Sequence, residues 1–559
     1  MIREESIRAR LKNIFTENTD ILADEIIRKI VEFNEQFTER EDYILDEKKS
    51  ILITYADSLQ GEDVPLETLR EFLNEKVGNS INTVHILPFF PYSSDDGFSV
   101  VNYTEVNPDF GSWEEIHSLS STHKIMFDAV INHISSKSSW FRGYLNGEKK
   151  YIDYFIESDP ETDLSTVTRP RTFPLLSEFE TERGKKYLWT TFSDDQIDLN
   201  YKSQNLLFEV IEVLLFYAAN GASLIRLDAV GYIWKEVGTS CIHLDKAHEI
   251  IKLMRDILDS LNKKVLIITE TNVPHKDNIS YFGNGTDEAQ MIYNFSLPPL
   301  VLNAYQIHSS EHLSKWASAL TTPSSETTFF NFLASHDGIG LMPVKDFLSG
   351  EEIDNLVIKT ENNGGKISWK TNSDGSLSPY EMNINYFDAL YDCTETEEEN
   401  IRKFLGAYFI ACSLSGIPGI YIHSLVGSRN WTEGVNTLGY NRAINREKLC
   451  LKKLEKELSD SNSRRHKIFT NMIRILSERQ NHPAFSPKAE QEIIELDNRL
   501  FCIKRSSVQE TILSIVNLSR DEVRVELEEN CEYYDVIAQK HQKKRLIMAP
   551  YKYLWIRVE

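Results

Sequence analysis

Short apolar, β-branched runs recur along the chain at 51–56, 83–90, 124–133, 223–230, 265–271, 291–295, 328–337 and 419–424. Between most of them lie segments with apolar residues at helical spacing, at 66–77, 205–220, 246–263 and 396–415. Near-continuous apolar strands separated by helices indicate a parallel sheet buried on both faces. Eight such units predict a closed (β/α)8 barrel, whose chemistry sits at the C-terminal ends of its strands.

Ahead of the first run, residues 1–48 set Ile7, Leu11, Ile14, Ile26, Ile27 and Ile30 at helical spacing among many charges. That pattern predicts an N-terminal extension of amphipathic helices packed on the outside of the barrel. The barrel itself is expected over 49–133, 203–337 and 396–478. The gaps after its third and seventh strands exceed ordinary loop lengths, so 134–202 and 338–395 read as two inserted subdomains leaving the catalytic face. The second is rich in turn residues, with Asn362-Asn363-Gly364-Gly365 and Ser373-Asp374-Gly375-Ser376. Beyond 479, alternating strands at 500–505, 511–516, 523–527 and 551–558 predict a separate small β domain over 479–559.

Composition narrows the class. With 559 residues, 41% hydrophobic and 11% aromatic, the chain has ample material for a large packed core. A net charge of −24 argues against nucleic acid or an anionic membrane as a partner, and any anionic substrate needs locally placed cations. The six cysteines are scattered without a CxxC pair, which fits a reducing compartment. The N-terminus lacks the apolar core of a secretory signal. The most apolar long stretch, Phe404 to Ile422, contains Gly416, Pro418 and Gly419, so it reads as a buried helix followed by a strand. A cytoplasmic protein is expected.

Polar residues within the apolar runs carry the candidate chemistry. Arg and Asp are rarely buried unless paired, yet Arg226 and Asp228 interrupt the fourth run. Residues two apart on a strand share a face, so both are expected to point into the barrel mouth. Glu270 ends the fifth run and His336-Asp337 the seventh. Each alone has a plain structural reading, as an ion pair, a helix-start carboxylate or a turn residue. Together they bring three carboxylates to one mouth, the equipment of glycosidic bond chemistry. Beside a permanent cation, Asp228 is expected to stay ionised and act as nucleophile. Glu270, with no cation adjacent in sequence, is expected to hold its proton and serve as acid and base. Asp337 is placed to stabilise positive charge on a sugar ring. Asp95, His133 and His336 are further candidate polar contacts. Asp128 and Asn132 make a weak calcium pattern, and no metal site is predicted. No phosphate loop, HExxH or GxSxG motif is present.

At these same residues the sequence resembles the α-amylase superfamily, glycoside hydrolase family 13. The segments are Asp128-Ala-Val-Ile-Asn-His133, Arg226-Leu-Asp-Ala-Val230, Glu270 and His336-Asp337. Within it the chain is similar to the sucrose phosphorylase group, through His85-Ile-Leu-Pro-Phe-Phe90, Asp96-Gly-Phe98, Asp228-Ala-Val-Gly-Tyr232, Gly238-Thr-Ser-Cys241, Leu297-Pro-Pro-Leu300 and Asp337-Gly-Ile-Gly340. The resemblance implies Asp228 as nucleophile, Glu270 as acid/base and Asp337 as transition-state stabiliser. It also implies a glucosyl site of Asp95, Phe98, His133, Arg226, Tyr232, His336 and Arg442. Phosphate would attack the glucosyl-enzyme and release α-glucose 1-phosphate, with Arg171, Tyr380 and Glu381 on the phosphate and acceptor side. The implied partners are a small glucoside and inorganic phosphate, with no metal or organic cofactor; homodimerisation stays open.

Two departures bear on the substrate. Where sucrose phosphorylases carry an Asp-Leu-Tyr-Gln stretch, this chain has Ser378-Pro379-Tyr380-Glu381. Loss of the first acid favours a carboxylate-bearing acceptor, whereas Glu381 restores negative charge nearby. The N-terminal extension and Glu270-Thr-Asn-Val-Pro-His275 are more similar to the glucosylglycerate phosphorylase branch, with His275 or Arg171 as aids to a glycerate carboxylate. The best expectation is a retaining phosphorylase of 2-O-α-glucosylglycerate. Its rivals are a sucrose or sucrose 6′-phosphate phosphorylase, an α-glucosidase or transglucosidase, and a catalytically silent sugar-binding protein.

Overall fold

The computed structural model describes residues 2–37, 43–170, 172–372, 376–528 and 531–559. Each of the eight apolar runs supplies one strand of a closed parallel barrel. The strands are β1 (Ile51–Thr54), β2 (Thr83–Ile86), β3 (Lys124–Ala129), β4 (Ala222–Leu227), β5 (Leu266–Thr269), β6 (Met291–Tyr293), β7 (Thr328–Phe332) and β8 (Ile417–Tyr421). Each pairs with its neighbours in sequence, and β8 closes on β1 with Gly419 opposite Ile51. The strands are buried along almost their whole length because side chains fill the barrel on one face and helices cover the other.

The strands are shorter than the apolar runs. β4 stops at Leu227, β5 at Thr269 and β7 at Phe332. Asp228, Glu270 and the His336-Asp337 pair therefore lie in the loops just past the strand ends, not within the strands. Ala229 turns to a left-handed φ of 47° immediately after Asp228, which ends the extended backbone there.

The N-terminal segment forms two helices, α1 (Glu4–Ile14) and α2 (Thr19–Gln36). They pack on the barrel helices α3 (Gln204–Ala219) and α4 (Asp245–Asp259), α1 against α4 and α2 against α3. Ile7, Leu11 and Ile14 form the buried face of α1. The buried Asp256 of α4 receives Arg3 at 3.0 Å and the Ser6 hydroxyl at 2.5 Å. Apolar burial thus supplies the adhesion, and these polar contacts set the register.

Between β3 and β4, strand His133–Ser135 pairs antiparallel with Gln196–Asp198, and Leu176–Thr181 pairs with Gly184–Trp189. Between β7 and β8, Ile339–Gly340, Lys366–Thr371 and Leu377–Asn383 form a three-stranded sheet beside helix Gly350–Asn362. The C-terminal region holds a six-stranded antiparallel sheet and a two-stranded one. The periodicity misses its short or polar strands Glu490–Ile493, Tyr533–Asp535, Lys540–Gln542 and Arg545–Met548. Trp555 docks this sheet on helix Glu397–Ser413, stacking on Phe409 at 4.4 Å and donating to Ser413 Oγ at 2.8 Å. Among the described residues, no helix is long and apolar enough to cross a membrane.

Leu11 is fully buried between α1 and α4, so Leu11→Ala is expected to cost about 2–5 kcal/mol. Its thermal unfolding midpoint should fall clearly, whereas Lys12→Ala on the exposed face should leave the midpoint near that of the parent.

Candidate active site

Arg226 is the buried anchor of the site. Its guanidinium is ion-paired with Asp128 of β3 and lies 2.8 Å from Asp228 Oδ1. Its Nη2 is 3.9 Å from Glu270 Oε2. Asp128 is further bound by His85 Nε2 of β2 at 2.6 Å. The rings of Phe98 and Tyr293 flank the guanidinium, with centroids 5.7 and 5.4 Å away. A charge so completely desolvated persists only with such compensation. The period of two on β4 is what aims Arg226 and Asp228 the same way.

The three carboxylates have different surroundings. Burial pushes Asp228 up, and although Arg226 opposes this, Asp128 and Asp337 add to it, so the net shift is upward. Adjacency in sequence paired Asp228 with one cation; the structure divides that cation, Arg226, between Asp228 and Asp128. Burial also drives Glu270 up, to about 8, with Arg226 opposing and Asp228 and Asp337 reinforcing. Glu270 does have a cation nearby, Arg226 on the adjacent strand β4, brought there by strand pairing and so invisible to adjacency in sequence. Its Oε2 accepts a 3.1 Å hydrogen bond from the backbone N–H of Ala229, an amide aimed by that residue's left-handed turn. Burial pushes Asp337 up as well, but Arg442, His336 and Arg446 outweigh it and hold this carboxyl well below the usual carboxylate range. Arg442 Nη1 lies 2.5 Å from Asp337 Oδ1.

Loop contacts fix these groups. Asn445 Nδ2 donates to the carbonyls of Ser335 and Asp337 at 3.0 and 3.2 Å, and Arg446 Nε donates to that of His336 at 2.9 Å. The segment 441–446 thereby clamps the loop after β7. Arg446 also reaches Asp96 at 2.9 Å and Asp95 at 3.6 Å. Asp95 and Asp96 both have positive φ, and Gly97 follows at 107°. A Cβ on Gly97 would lie 2.4 Å from the Pro88 carbonyl oxygen, so this turn requires glycine. Asp195 accepts from the hydroxyls of Ser93, Ser94, Ser99 and Ser136, binding the Asp95–Phe98 loop to the first insertion. Phe98 stacks on His336 with centroids 4.6 Å apart, and its carbonyl accepts from His133 Nε2 at 2.8 Å.

The result is one cavity of about 790 Å³, counting the solvent-filled space of its mouth. Asp228, Glu270 and Asp337 line it together, as do Asp95, Phe98, His133, Tyr232, His336, Tyr380, Glu381 and Arg442. Arg226 supports the wall from behind. Arg171 lies outside the described residues. Glu381 is buried in a two-point pair with Arg442, at 2.6 and 3.3 Å, so the charge expected to burden the acceptor side is neutralised. His275 is set apart from the lining, packing near Phe329 and Phe347. Asp128 is taken up by His85 and Arg226, and Asn132 Oδ1 by Lys235 Nζ at 2.8 Å.

The sequence reading missed Phe192, Gln196, His243, Asn272 and Phe295, which also line the cavity. Phe192 and His243 sit in long connections where no periodicity reports orientation, Gln196 is in a short strand of the first insertion, and Asn272 and Phe295 lie just past the ends of β5 and β6. Arg446 was legible in the Asn441–Arg446 stretch, but nothing there distinguished it from Arg442. Phe192 is held by a buried charge cluster. Lys235 Nζ lies 2.8 Å from Asp198 Oδ2, and Asp198 Oδ1 accepts from the N–H of Thr191 at 3.0 Å. This fixes the residue before Phe192, whose ring meets His133 and Tyr232.

Residues 76–342 match the family model described as alpha amylase, catalytic domain. The chain is 46% identical over 524 residues to a glucosylglycerate phosphorylase of Escherichia coli, spanning 93% of this chain and 94% of that protein. It is 50% identical over 451 residues to a glucosylglycerate phosphorylase of Allomeiothermus silvanus, spanning 80% and 81%. A crystal structure of sucrose 6F-phosphate phosphorylase from Thermoanaerobacter thermosaccharolyticum shares the fold, with a TM-score of 0.76, 24% identity and coverage of 90% and 98%.

Lys235→Met removes the cation of the Lys235–Asp198–Asn132 cluster and leaves a buried carboxylate unpaired, at a cost of about 3–5 kcal/mol. The expected result is a lower thermal midpoint, with Lys235→Arg retaining more of it than Lys235→Met.

Proposed function

We propose, for a chain that belongs to the glucoside phosphorylases of the α-amylase family, a retaining phosphorolysis of 2-O-α-glucosylglycerate. The observation that carries the reading is the convergence of Asp228, Glu270 and Asp337 on one sugar-sized cavity, each in a different electrostatic setting. Glu270, pushed up to about 8, is protonated near neutral pH and suits a general acid. Asp228, 2.8 Å from Arg226, suits a nucleophile. Asp337, held anionic by Arg442, suits a group that stabilises an oxocarbenium-like transition state.

In the first step a carboxylate oxygen of Asp228 attacks the anomeric carbon. The bond to the glycerate oxygen breaks, and Glu270 gives that oxygen its proton. A β-glucosyl ester of Asp228 results. In the second step a phosphate oxygen attacks the same carbon from the other side, the ester bond to Asp228 breaks, and Glu270 recovers a proton from the phosphate. Two inversions give α-glucose 1-phosphate. Asp95, Phe98, His133, His336 and Arg442 hold the glucosyl unit in this reading, and Tyr380 and Arg171 serve the phosphate. The neutralisation of Glu381 by Arg442 favours an acidic acceptor over the electrostatics read from the sequence alone. The 46–50% identity to glucosylglycerate phosphorylases supports glycerate over fructose.

Incubation with 2-O-α-glucosylglycerate and phosphate should release glucose 1-phosphate. Free glucose released at the same rate without phosphate would mark a hydrolase instead. Release from sucrose but not from glucosylglycerate would reject the substrate and keep the mechanism. Asp228→Asn should abolish turnover, and Glu270→Gln should lower it about 100- to 10,000-fold. Because Glu270 must carry its proton, kcat/KM should decline as pH rises through about 8. Glu270→Gln should remove that alkaline limb.

A further inference from the structure

His243 lines the cavity, yet none of the roles above uses it. It lies at φ 57° in a loop where Gly238 and Cys241 also have positive φ, at 88° and 52°. A left-handed backbone at a non-glycine residue is uncommon and concentrates at functional sites. The ring is held on one edge. Its Nδ1 is 2.6 Å from the Tyr281 hydroxyl, and its Cε1 and Nδ1 face the backbone of Gly231. Tyr281 is itself fully buried and stacks on His248 at 4.6 Å, which in turn is bound to Glu288 at 2.8 Å.

This arrangement selects a tautomer. Among the described residues, the Tyr281 hydroxyl has no hydrogen-bond partner other than His243. A buried hydroxyl proton needs an acceptor, so Tyr281 donates and Nδ1 accepts. Partial burial lowers the imidazole to about 4, with Asp277 opposing, so the ring is neutral and its single proton resides on Nε2. Nε2 is on the edge turned away from Tyr281 and has no partner among the described residues. His243 stands in the connection after β4 and its partner Tyr281 in the connection after β5, two hydrogen-bonded neighbours, so the ring joins the stretch of cavity wall that carries Glu270, Thr271, Asn272 and Val273. Glu270 protonates the leaving oxygen, so this side faces the departing group. Among the described residues, the arginine lining the cavity is Arg442, already committed to Asp337 and Glu381.

We propose that His243 is a specificity-determining residue whose Nε2–H donates to the carboxylate of a small hydroxy-acid acceptor, with Tyr281 as the positioning residue that fixes the donor tautomer. The inference rests on the phosphorylase reading above and adds the residue that tells an acid from a neutral polyol. A neutral donor here binds the carboxylate without placing a further cation beside Asp228 and Asp337, whose own partners it would compete with.

The test is the synthetic direction at fixed glucose 1-phosphate, with glycerate and glycerol as alternative acceptors. A hydrogen bond to a carboxylate accounts for about 10- to 100-fold in affinity. In His243→Leu the preference for glycerate over glycerol, read as the ratio of kcat/KM values, should fall by about that factor. In Tyr281→Phe, where the strained His243 backbone is untouched, it should fall in the same direction by less. His243→Gln, whose amide offers a donor near the Nε2 position, should recover part of the preference. An equal loss for both acceptors in all three variants, or an unchanged ratio, would overturn the proposal. A parent enzyme that transfers glucose to neither acceptor would instead overturn the phosphorylase reading, and the assignment of His243 with it.

Discussion

The site depends on one buried guanidinium. Arg226 is wholly removed from water, and the cost of that desolvation is tolerable only because Asp128 and Asp228 flank it and two aromatic rings cover its faces. The constraint propagates outward. Asp128 must be ionised to serve Arg226, and His85 on the next strand supports it. β2, β3 and β4 are thus tied by a polar chain running across the barrel beneath the reacting centre. Moving any of these strands by one residue would invert every side chain in the chain. Barrel register and the placement of Asp228 are therefore one and the same constraint.

Charge partition around the cavity follows from how few cations are available. Arg226 is divided between two aspartates and stands off from Glu270, whereas Arg442 sits directly on Asp337. Glu270 is accordingly displaced upward, to about 8, and Asp337 downward. The same arginine that holds Asp337 ionised also absorbs Glu381. One side chain thereby sets the charge of two carboxylates lining the cavity, and altering one without the other is difficult.

The barrel was legible because its signal is physical and local: both faces of each strand are covered, so each reads as an apolar run, and a charged residue within such a run stands out. Arg226, Asp228, Glu270 and Asp337 were found in this way. Strand ends were not legible, because apolar residues continue past the last pairing at Val230 and Leu333, where they pack in loops. His243, Gln196 and Phe192 escaped notice for a related reason. They reside in connections without a period, and their orientation is set by distant partners such as Tyr281 and Lys235. Glu381 was misjudged since its partner is 61 residues away. Pairing across such a separation leaves no trace in local sequence, whereas periodicity does.

Asp195 carries a consequence of a different kind. It gathers four serine hydroxyls, three from the loop after β2 and one from beyond β3. The first insertion is therefore not a detachable module. A chimera that exchanged residues 134–202 with those of a relative would also have to import Ser93, Ser94 and Ser99, or the cavity-lining Phe98 would lose its anchorage. Divergence in this part of the fold is expected to proceed by coordinated change in two separated stretches, which ties the history of the insertion to that of the floor it covers.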